Sequence, residues 1–356
     1  MTRTKRLWTL AFSASLLIAG CSKNDTPAPN NTAAKPLNNG LYVLNEGNSN
    51  NATELTYYDS ITNTATTDIY KNVNGTQLGE YGNDILIYGS KLYIVMNGSN
   101  NVTAIDKRTT KLTKQIFATD GASWQPRYAI PYNGKILVSA WDGTLSVIDT
   151  ASLNITNTIT IGSNLEQMGI SGNMLYVAIS GGLNYPNYDS TVSVIDLTTM
   201  TQTKKIKVGL NPNKIAINSE GNIFVLTYGN YGTVSPKIYE INGSTQTLVD
   251  SSSALANADK MIIYKDVIYL DGTGSQSVLT LNSNNIEGNL SNFITDGTTL
   301  TNPYGISIDA ANNYVYVTDA IDFKSPGKVY CFDNTGKLKY PPFTTDIAPD
   351  NVVFLK

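Results

Sequence analysis

The chain is predicted to be an all-β protein, a seven-bladed β-propeller closed by its C-terminal strand, and two observations carry that prediction. The first is a repeat in which one apolar strand, a polar turn and a second apolar strand follow each other. In Lys214 to Gly232 it reads Ile215-Ala216-Ile217, then Asn218-Ser219-Glu220-Gly221, then Ile223-Phe224-Val225-Leu226. Indexed by an aromatic residue or Leu in the second strand, it returns at Tyr42, Tyr93, Leu137, Tyr176, Phe224, Tyr269 and Tyr316. That is a period of roughly 40–50 residues, the size of one four-stranded blade. The second observation is that each third strand ends alike, on Asp59, Asp106, Asp149, Asp196, Asn242, Asn282 and Asp333. In five units a Thr or Ser lies three residues on: Thr62, Thr109, Ser152, Thr199 and Thr245. A side-chain oxygen that caps the amides of the next turn explains all seven, so these are turn residues and not catalytic acids.

In chain order, residues 1–20 read as a lipoprotein signal peptide. Arg3, Lys5 and Arg6 precede an apolar run, Leu7 to Ala19, that is too short to span a bilayer. The run ends in Leu17-Ile18-Ala19-Gly20-Cys21, which is similar to a bacterial lipobox and makes Cys21 the acylated first residue of the mature chain. Residues 21–39, rich in Asn, Pro, Thr and Ala, read as a flexible tether. The expected location is therefore the outer membrane, reached through a lipid anchor. Cys21-Ser22-Lys23-Asn24-Asp25 resembles in part the export signal of Bacteroidetes surface lipoproteins, which favours the cell surface over the periplasmic face.

Residues 40–356 read as one propeller domain, because closed repeat architectures exceed ordinary domain sizes. The domain opens directly on a second strand, Leu41-Tyr42-Val43-Leu44, and finishes on a first-strand pattern, Asn351-Val352-Val353-Phe354-Leu355. The last strand is thus predicted to complete the blade that the N-terminus begins, which removes two sheet edges.

Composition narrows the chemistry. The chain has 25 Lys and Arg against 28 Asp and Glu; loss of residues 1–20 removes three bases and no acid, leaving 22 against 28 and a net charge of −6. With no basic patch, nucleic acid is not expected as a partner. There is no His, which excludes a Ser-His-Asp triad, imidazole zinc sites and the commonest general base. The second of two cysteines, Cys331 in Val329-Tyr330-Cys331-Phe332, falls in a third strand and is expected to be buried, without a disulfide to an acylated Cys21. The chain is expected to be no enzyme and to need neither cofactor nor metal. One alternative stays open: Glu80, Asp84, Glu166, Asp259 and Asp350, with Asn83, could ring the channel around Ca²⁺ as in lactonase propellers, though without the spacing of a metal loop.

Loops that enter each first strand, and loops that join second to third strands, should share one face around the central channel. The unusual residues gather there. Entering first strands are Tyr81, Asn83, Trp124, Arg127, Tyr128, Glu166, Gln167, Lys214, Lys260 and Tyr304; joining second to third strands are Trp141, Tyr228, Tyr231, Asp319, Asp322 and Phe323. All are candidate ligand-binding residues. The rarest sit in the third unit. Of three Trp only Trp124 and Trp141 lie beyond the signal peptide, and the two Arg beyond it are Arg127 and Arg108, the latter in a turn on the opposite face. Large aromatics beside an Arg suit a binding hot spot. The competing reading is that the Trp residues cap blade packing.

Several phrases resemble a known family. Lys91-Leu92-Tyr93-Ile94-Val95-Met96-Asn97, Val192-Ser193-Val194-Ile195-Asp196, Ile206-Lys207-Val208-Gly209-Leu210-Asn211-Pro212 and Val315-Tyr316-Val317-Thr318-Asp319-Ala320 look like YVTN-type, YncE-like seven-bladed propellers, over nearly the whole mature chain. The lipobox together with Asn45-Glu46-Gly47, Gln125-Pro126-Arg127-Tyr128, Glu166-Gln167-Met168 and Asp319-Ala320-Ile321-Asp322 resembles the BtuG-like group of Bacteroidetes surface lipoproteins. This resemblance implies capture of cobalamin or another corrinoid and its delivery to a TonB-dependent outer-membrane transporter. A protein- or glycan-binding propeller in surface assembly or adhesion is the alternative beside the calcium-dependent hydrolase.

Overall fold

The computed structural model describes residues 36–118, 121, 123–255, 258–272 and 276–356, so the expected signal peptide, Cys21 and most of the expected tether lie outside the described residues. From Pro36 onward the chain forms seven antiparallel sheets of four strands. Blade 1 is built, from the centre outward, of Pro349–Leu355, Gly40–Asn45, Glu54–Asp59 and Thr64–Thr66. Blade 2 follows with Gly82–Tyr88, Lys91–Met96, Asn101–Asp106 and Leu112–Phe117, and blade 3 with Pro126–Tyr132, Lys135–Ala140, Thr144–Asp149 and Ile155–Thr160. Blade 4 holds Leu165–Ser171, Met174–Ile179, Thr191–Asp196 and Thr201–Lys207; blade 5 holds Pro212–Ile217, Ile223–Thr227, Lys237–Asn242 and Thr247–Ser251. Blade 6 holds Lys260–Tyr264, Val267–Asp271, Leu279–Asn282 and Ser291–Asn292, and blade 7 Pro303–Asp309, Tyr314–Asp319, Pro326–Asp333 and Leu338–Ile347.

The C-terminal strand closes the ring as the sequence predicts: Leu41 pairs with Phe354 and Tyr42 with Val353, while Tyr42 pairs with Tyr57 on its other side. Second strands are buried along nearly their whole length, as in Leu92-Tyr93-Ile94-Val95-Met96, because neighbouring blades cover both faces. The core accordingly lies between blades. Tyr93 and Val95 of blade 2 pack with Ile136 and Val138 of blade 3. At the closing seam Leu41 and Val43 of blade 1 meet Tyr316, Val329 and Cys331 of blade 7. Cys331 is fully buried, and burial pushes its thiol up.

The repeated Asp or Asn at each third-strand end caps a turn. Asp149 Oδ1 accepts the Ser152 amide and hydroxyl, both at 2.8 Å, and the Ala151 amide at 3.2 Å; these bonds hold its carboxyl below the usual range. Asp106 and Asn242 make the same three bonds, and Asp59, Asp196, Asn282 and Asp333 accept at least one amide each. Arg108 lies on the face carrying these turns, but it is no idle surface residue. Its guanidinium donates to Leu37 O at 3.2 Å, Asn38 Oδ1 at 2.6 Å and Lys356 O at 3.4 Å, tying the residues on either side of the closing strand pair to blade 2.

Candidate functional site

Six blades share one device at the start of the inner strand, a β-bulge. The register shifts between Gly82 and Asp84, Pro126 and Tyr128, Leu165 and Met168, Pro212 and Lys214, Pro303 and Gly305, and opposite Val43 to Asn45 in the C-terminal strand. A bulge leaves one residue without a cross-strand partner and re-aims its side chain. The residues skipped in this way include Asn83, Arg127, Asn213 and Tyr304, and Glu166 and Asp350 lie within the other two shifts. All six line one cavity of about 360 Å³ at the mouth of the channel.

Arg127 and Glu166 form the first half of the wall. Arg127 Nε lies 3.1 Å from Glu166 Oε2, and a guanidinium nitrogen donates to Asn83 Oδ1. The guanidinium sits 4.4 Å from the centre of the Trp141 ring and 5.6 Å from that of Tyr128. Trp141 Nε1 donates to Glu166 Oε1 at 2.9 Å, and Ser180 Oγ to the same oxygen at 3.1 Å. Burial alone would pull the guanidinium down, but the Glu166 charge outweighs it and holds Arg127 above its ordinary value. The stack is therefore a charged, fixed platform.

Lys260 organises the other half. Its Nζ lies 2.6 Å from Asp350 Oδ1 and 4.8 Å from the Tyr304 ring centre, and the Tyr304 hydroxyl donates to Glu46 Oε2 at 2.5 Å. Burial is the main cause that raises both Tyr304 and Glu46. Tyr228 donates its hydroxyl to the Asp259 carbonyl, and Phe323 packs edge-on against Tyr304 with centroids 4.9 Å apart. Between the halves stands Lys214, 5% exposed, donating to the Tyr128 hydroxyl and 4.6 Å from that ring's centre. Tyr128, Lys214 and Lys260 also line a second cavity of about 600 Å³ within the channel, walled by Ile217, Ile262, Ile308 and Val353 of the inner strands.

Of the residues singled out from sequence, the cavity brings together Asn83, Arg127, Tyr128, Trp141, Glu166, Lys214, Tyr228, Tyr231, Lys260 and Tyr304. Gln167 lines the channel below, where its Oε1 accepts the Ile215 amide at 3.0 Å. Tyr81 stands exposed over a separate hollow beside Asn48 and Ser99. Trp124 corrects the expectation of a rim residue: it is 1% exposed, packed with Val95 and Val138 between blades 2 and 3, its indole N–H without a partner among the described residues. Blade packing is its role here. Asp319 and Asp322 also serve the backbone. Asp319 accepts the amides of Thr301, Asn302 and Ile321, and Asp322 those of Lys324 and Ser325. Of the carboxylates considered for calcium, Glu166 faces Arg127, Asp350 faces Lys260, and Glu80 is exposed outside the cavity. Among the described residues no three His, Cys, Asp or Glu side chains group as a metal would require.

Asn211 and Asn213 belong to the cavity and were not singled out by the sequence. A signal for Asn213 existed. The residue after Pro lies at the bulge in Pro126-Arg127, Pro212-Asn213, Pro303-Tyr304 and Pro349-Asp350, and each such residue lines the cavity.

No curated protein matches the chain by sequence. Solved structures resemble it in fold. A putative 6-phosphogluconolactonase from Bacteroides fragilis matches with a TM-score of 0.64 at 14% identity, over 91% of this chain and 99% of that one. A quinonprotein alcohol dehydrogenase-like protein from Bacteroides thetaiotaomicron gives 0.63 at 18% identity, over 90% and 78%. A protein from Lactobacillus plantarum gives 0.63 at 15%, over 89% and 100%. Identities this low speak for the architecture alone. The sequence itself is matched over residues 39–345 by the family model described as Domain of unknown function (DUF5074), and to that family the chain belongs.

Proposed function

We propose that this chain is a non-enzymatic ligand-capture propeller, anchored to the outer membrane through Cys21 and displayed at the cell surface. The observation that carries the reading is the Arg127–Trp141–Tyr128 stack, locked by Glu166 in the wall of a cavity to which every blade contributes. Rigid aromatics with a fixed guanidinium bind ligands at small entropic cost, since little side-chain freedom remains to be lost. Corrinoids are the ligand class that the sequence resemblance favours, with a TonB-dependent transporter as recipient. A cavity of about 360 Å³ is near the lower end of small-molecule sites. A corrinoid would lie across its mouth, with its carboxamide or phosphate oxygens toward Arg127 and its apolar edges against Trp141.

Calorimetric titration with cyanocobalamin and a panel of other ring ligands tests this. Arg127→Ala and Trp141→Ala should each weaken binding roughly thirtyfold, about 2 kcal/mol, while Lys111→Ala in an exposed turn should change nothing. Each variant must first keep the wild-type Tm, because removing Arg127 leaves Glu166 buried without its partner. Equal affinities across the three variants would place the site elsewhere. Calcium-dependent lactone turnover, lost in Glu166→Gln or Asp259→Asn, would replace capture by hydrolysis as the function.

A further inference from the structure

Beside the cavity, two loops carry a row of tyrosines that the reading above does not use. The links 180–190 in blade 4 and 228–236 in blade 5 are longer than the equivalents 97–100 and 141–143 in blades 2 and 3. Compact surface loops of this length are frequently functional. Tyr185 and Tyr188 lie with centroids 6.0 Å apart at 70°, Tyr188 and Tyr231 at 6.1 Å and 71°, and Tyr231 and Tyr228 at 6.4 Å and 59°. The row runs from the outer rim to the cavity wall, where Tyr228 and Tyr231 stand. Tyr185 is 74% exposed and Tyr231 71%, with Leu183 and Val234 exposed nearby. Beyond Tyr231 the row borders a further groove of about 320 Å³, lined by Val234, Ser235 and Pro236.

The loops are built to hold this shape. Asp189 N donates to Ser180 O at 2.9 Å, Asn211 N to Asp189 O at 2.8 Å, and Leu183 N to Asn164 Oδ1 at 3.1 Å. In the second loop Asn230 Oδ1 accepts the amides of Gly232 and Val234 at 3.1 and 2.8 Å. Three exposed or half-exposed tyrosines, each near-perpendicular to the next, are therefore presented to solvent by a preorganised backbone. Within the two loops the one acidic side chain, Asp189, accepts from the Ser190 amide and the Thr191 hydroxyl, both at 2.6 Å, and no basic side chain is present; Asp259 borders the groove beyond Tyr231. An amide closes the inner end: Asn213 is more than nine-tenths buried, lines the cavity, and makes no side-chain hydrogen bond among the described residues.

We propose that this row is a second binding site, one that takes a neutral oligosaccharide laid along Tyr185, Tyr188 and Tyr231, its terminal sugar reaching Asn213. Pyranose rings present apolar C–H faces to aromatic rings and hydroxyls to amides, and a strip one ring wide suits a chain-like ligand. A protein partner would need a broad patch of about 800 Å² on each side, with an apolar centre. The inference goes beyond capture by the Arg127 platform and stands on different residues.

Maltohexaose, cellohexaose and mannohexaose, with a hexagalacturonate as the acidic counterpart, serve as probes in calorimetry on the full propeller. At least one neutral hexasaccharide should bind. Tyr185→Ala and Tyr188→Ala should each weaken it by about tenfold or more, with Tm and cyanocobalamin binding unchanged. Phe117→Ala, which removes an exposed aromatic far from the row, should leave the affinity as it was. No binding of any neutral hexamer overturns the proposal. So does a preference for the hexagalacturonate that disappears with Arg127→Ala, or a concentration-dependent dimer abolished by Tyr185→Ala. Loss of cyanocobalamin binding in Arg127→Ala with hexasaccharide binding intact would uphold both sites separately.

Discussion

Glu166 receives Arg127, Trp141 and Ser180 at once, so a single carboxylate sets the orientation of the platform's cation and its indole. Rarity in the sequence pointed to Trp141 and Arg127 because few residue types can do this work. The same rarity misled for Trp124, since a loop has no periodicity to tell which way a side chain faces. Asp319 shows a related failure: an acid at a second-strand end collects the amides of the preceding loop, as third-strand acids collect those of the next turn. Asp271, at the same position in blade 6, has no such partner among the described residues and is 2% exposed. Burial pushes its carboxyl up from 3.8 to about 7, against the pull of Lys260 and with Asp350 and Asp259 adding to the rise. Between those values the folded chain binds more protons than the unfolded one. This group's contribution to stability therefore falls as pH rises from about 4 to 7 and stays flat above. Asp271→Asn should raise stability by about 2 kcal/mol at pH 8 and leave it unchanged at pH 4, read from urea midpoints. A variant no more stable than wild type at pH 8 would mean that the ionised carboxylate costs nothing there.

Strands were legible because each middle strand is an unbroken apolar run between two blades, and because turn chemistry marks its ends. Bulges were not, since one unpaired residue leaves no trace in an alternating pattern that short; the Pro before four of them was the available clue. The helix Ile69–Asn74 was equally hidden. Six residues span fewer than two turns, too few for a 3.6-residue period to emerge. Its Tyr70 is nonetheless buried with Leu44, Leu78 and Ile85, filling the corner between blades 1 and 2. Tyr70→Ala should cost about 3 kcal/mol, seen as an earlier thermal midpoint by circular dichroism. A loss below about 0.5 kcal/mol, the size of an ordinary surface change, would show that the helix merely covers the corner.

The ring as a whole depends on one pairing that is remote in sequence. Pro349–Leu355 supplies the innermost strand of blade 1, and its residues Val352 and Phe354 also pack at the blade 7 seam. Deleting residues 347–356 should abolish the cooperative unfolding transition and enlarge the particle in size-exclusion chromatography, whereas a chain cut after Leu355 should keep one cooperative transition at a lower midpoint, having lost the Lys356–Asp309 ion pair and the Arg108 contact. A ten-residue truncation that still melts cooperatively would show that blade 1 holds with three strands. This closure was readable because both ends of the propeller carry complementary halves of one repeat, while the shape of the channel was not, since it arises from side chains on all seven blades. Where Lys214 meets the Tyr128 hydroxyl, with Lys260 beside them, the same three side chains border both the upper cavity and the channel below. A change to any one of them therefore reshapes two compartments at once, and neither can be remodelled without consequence for the other.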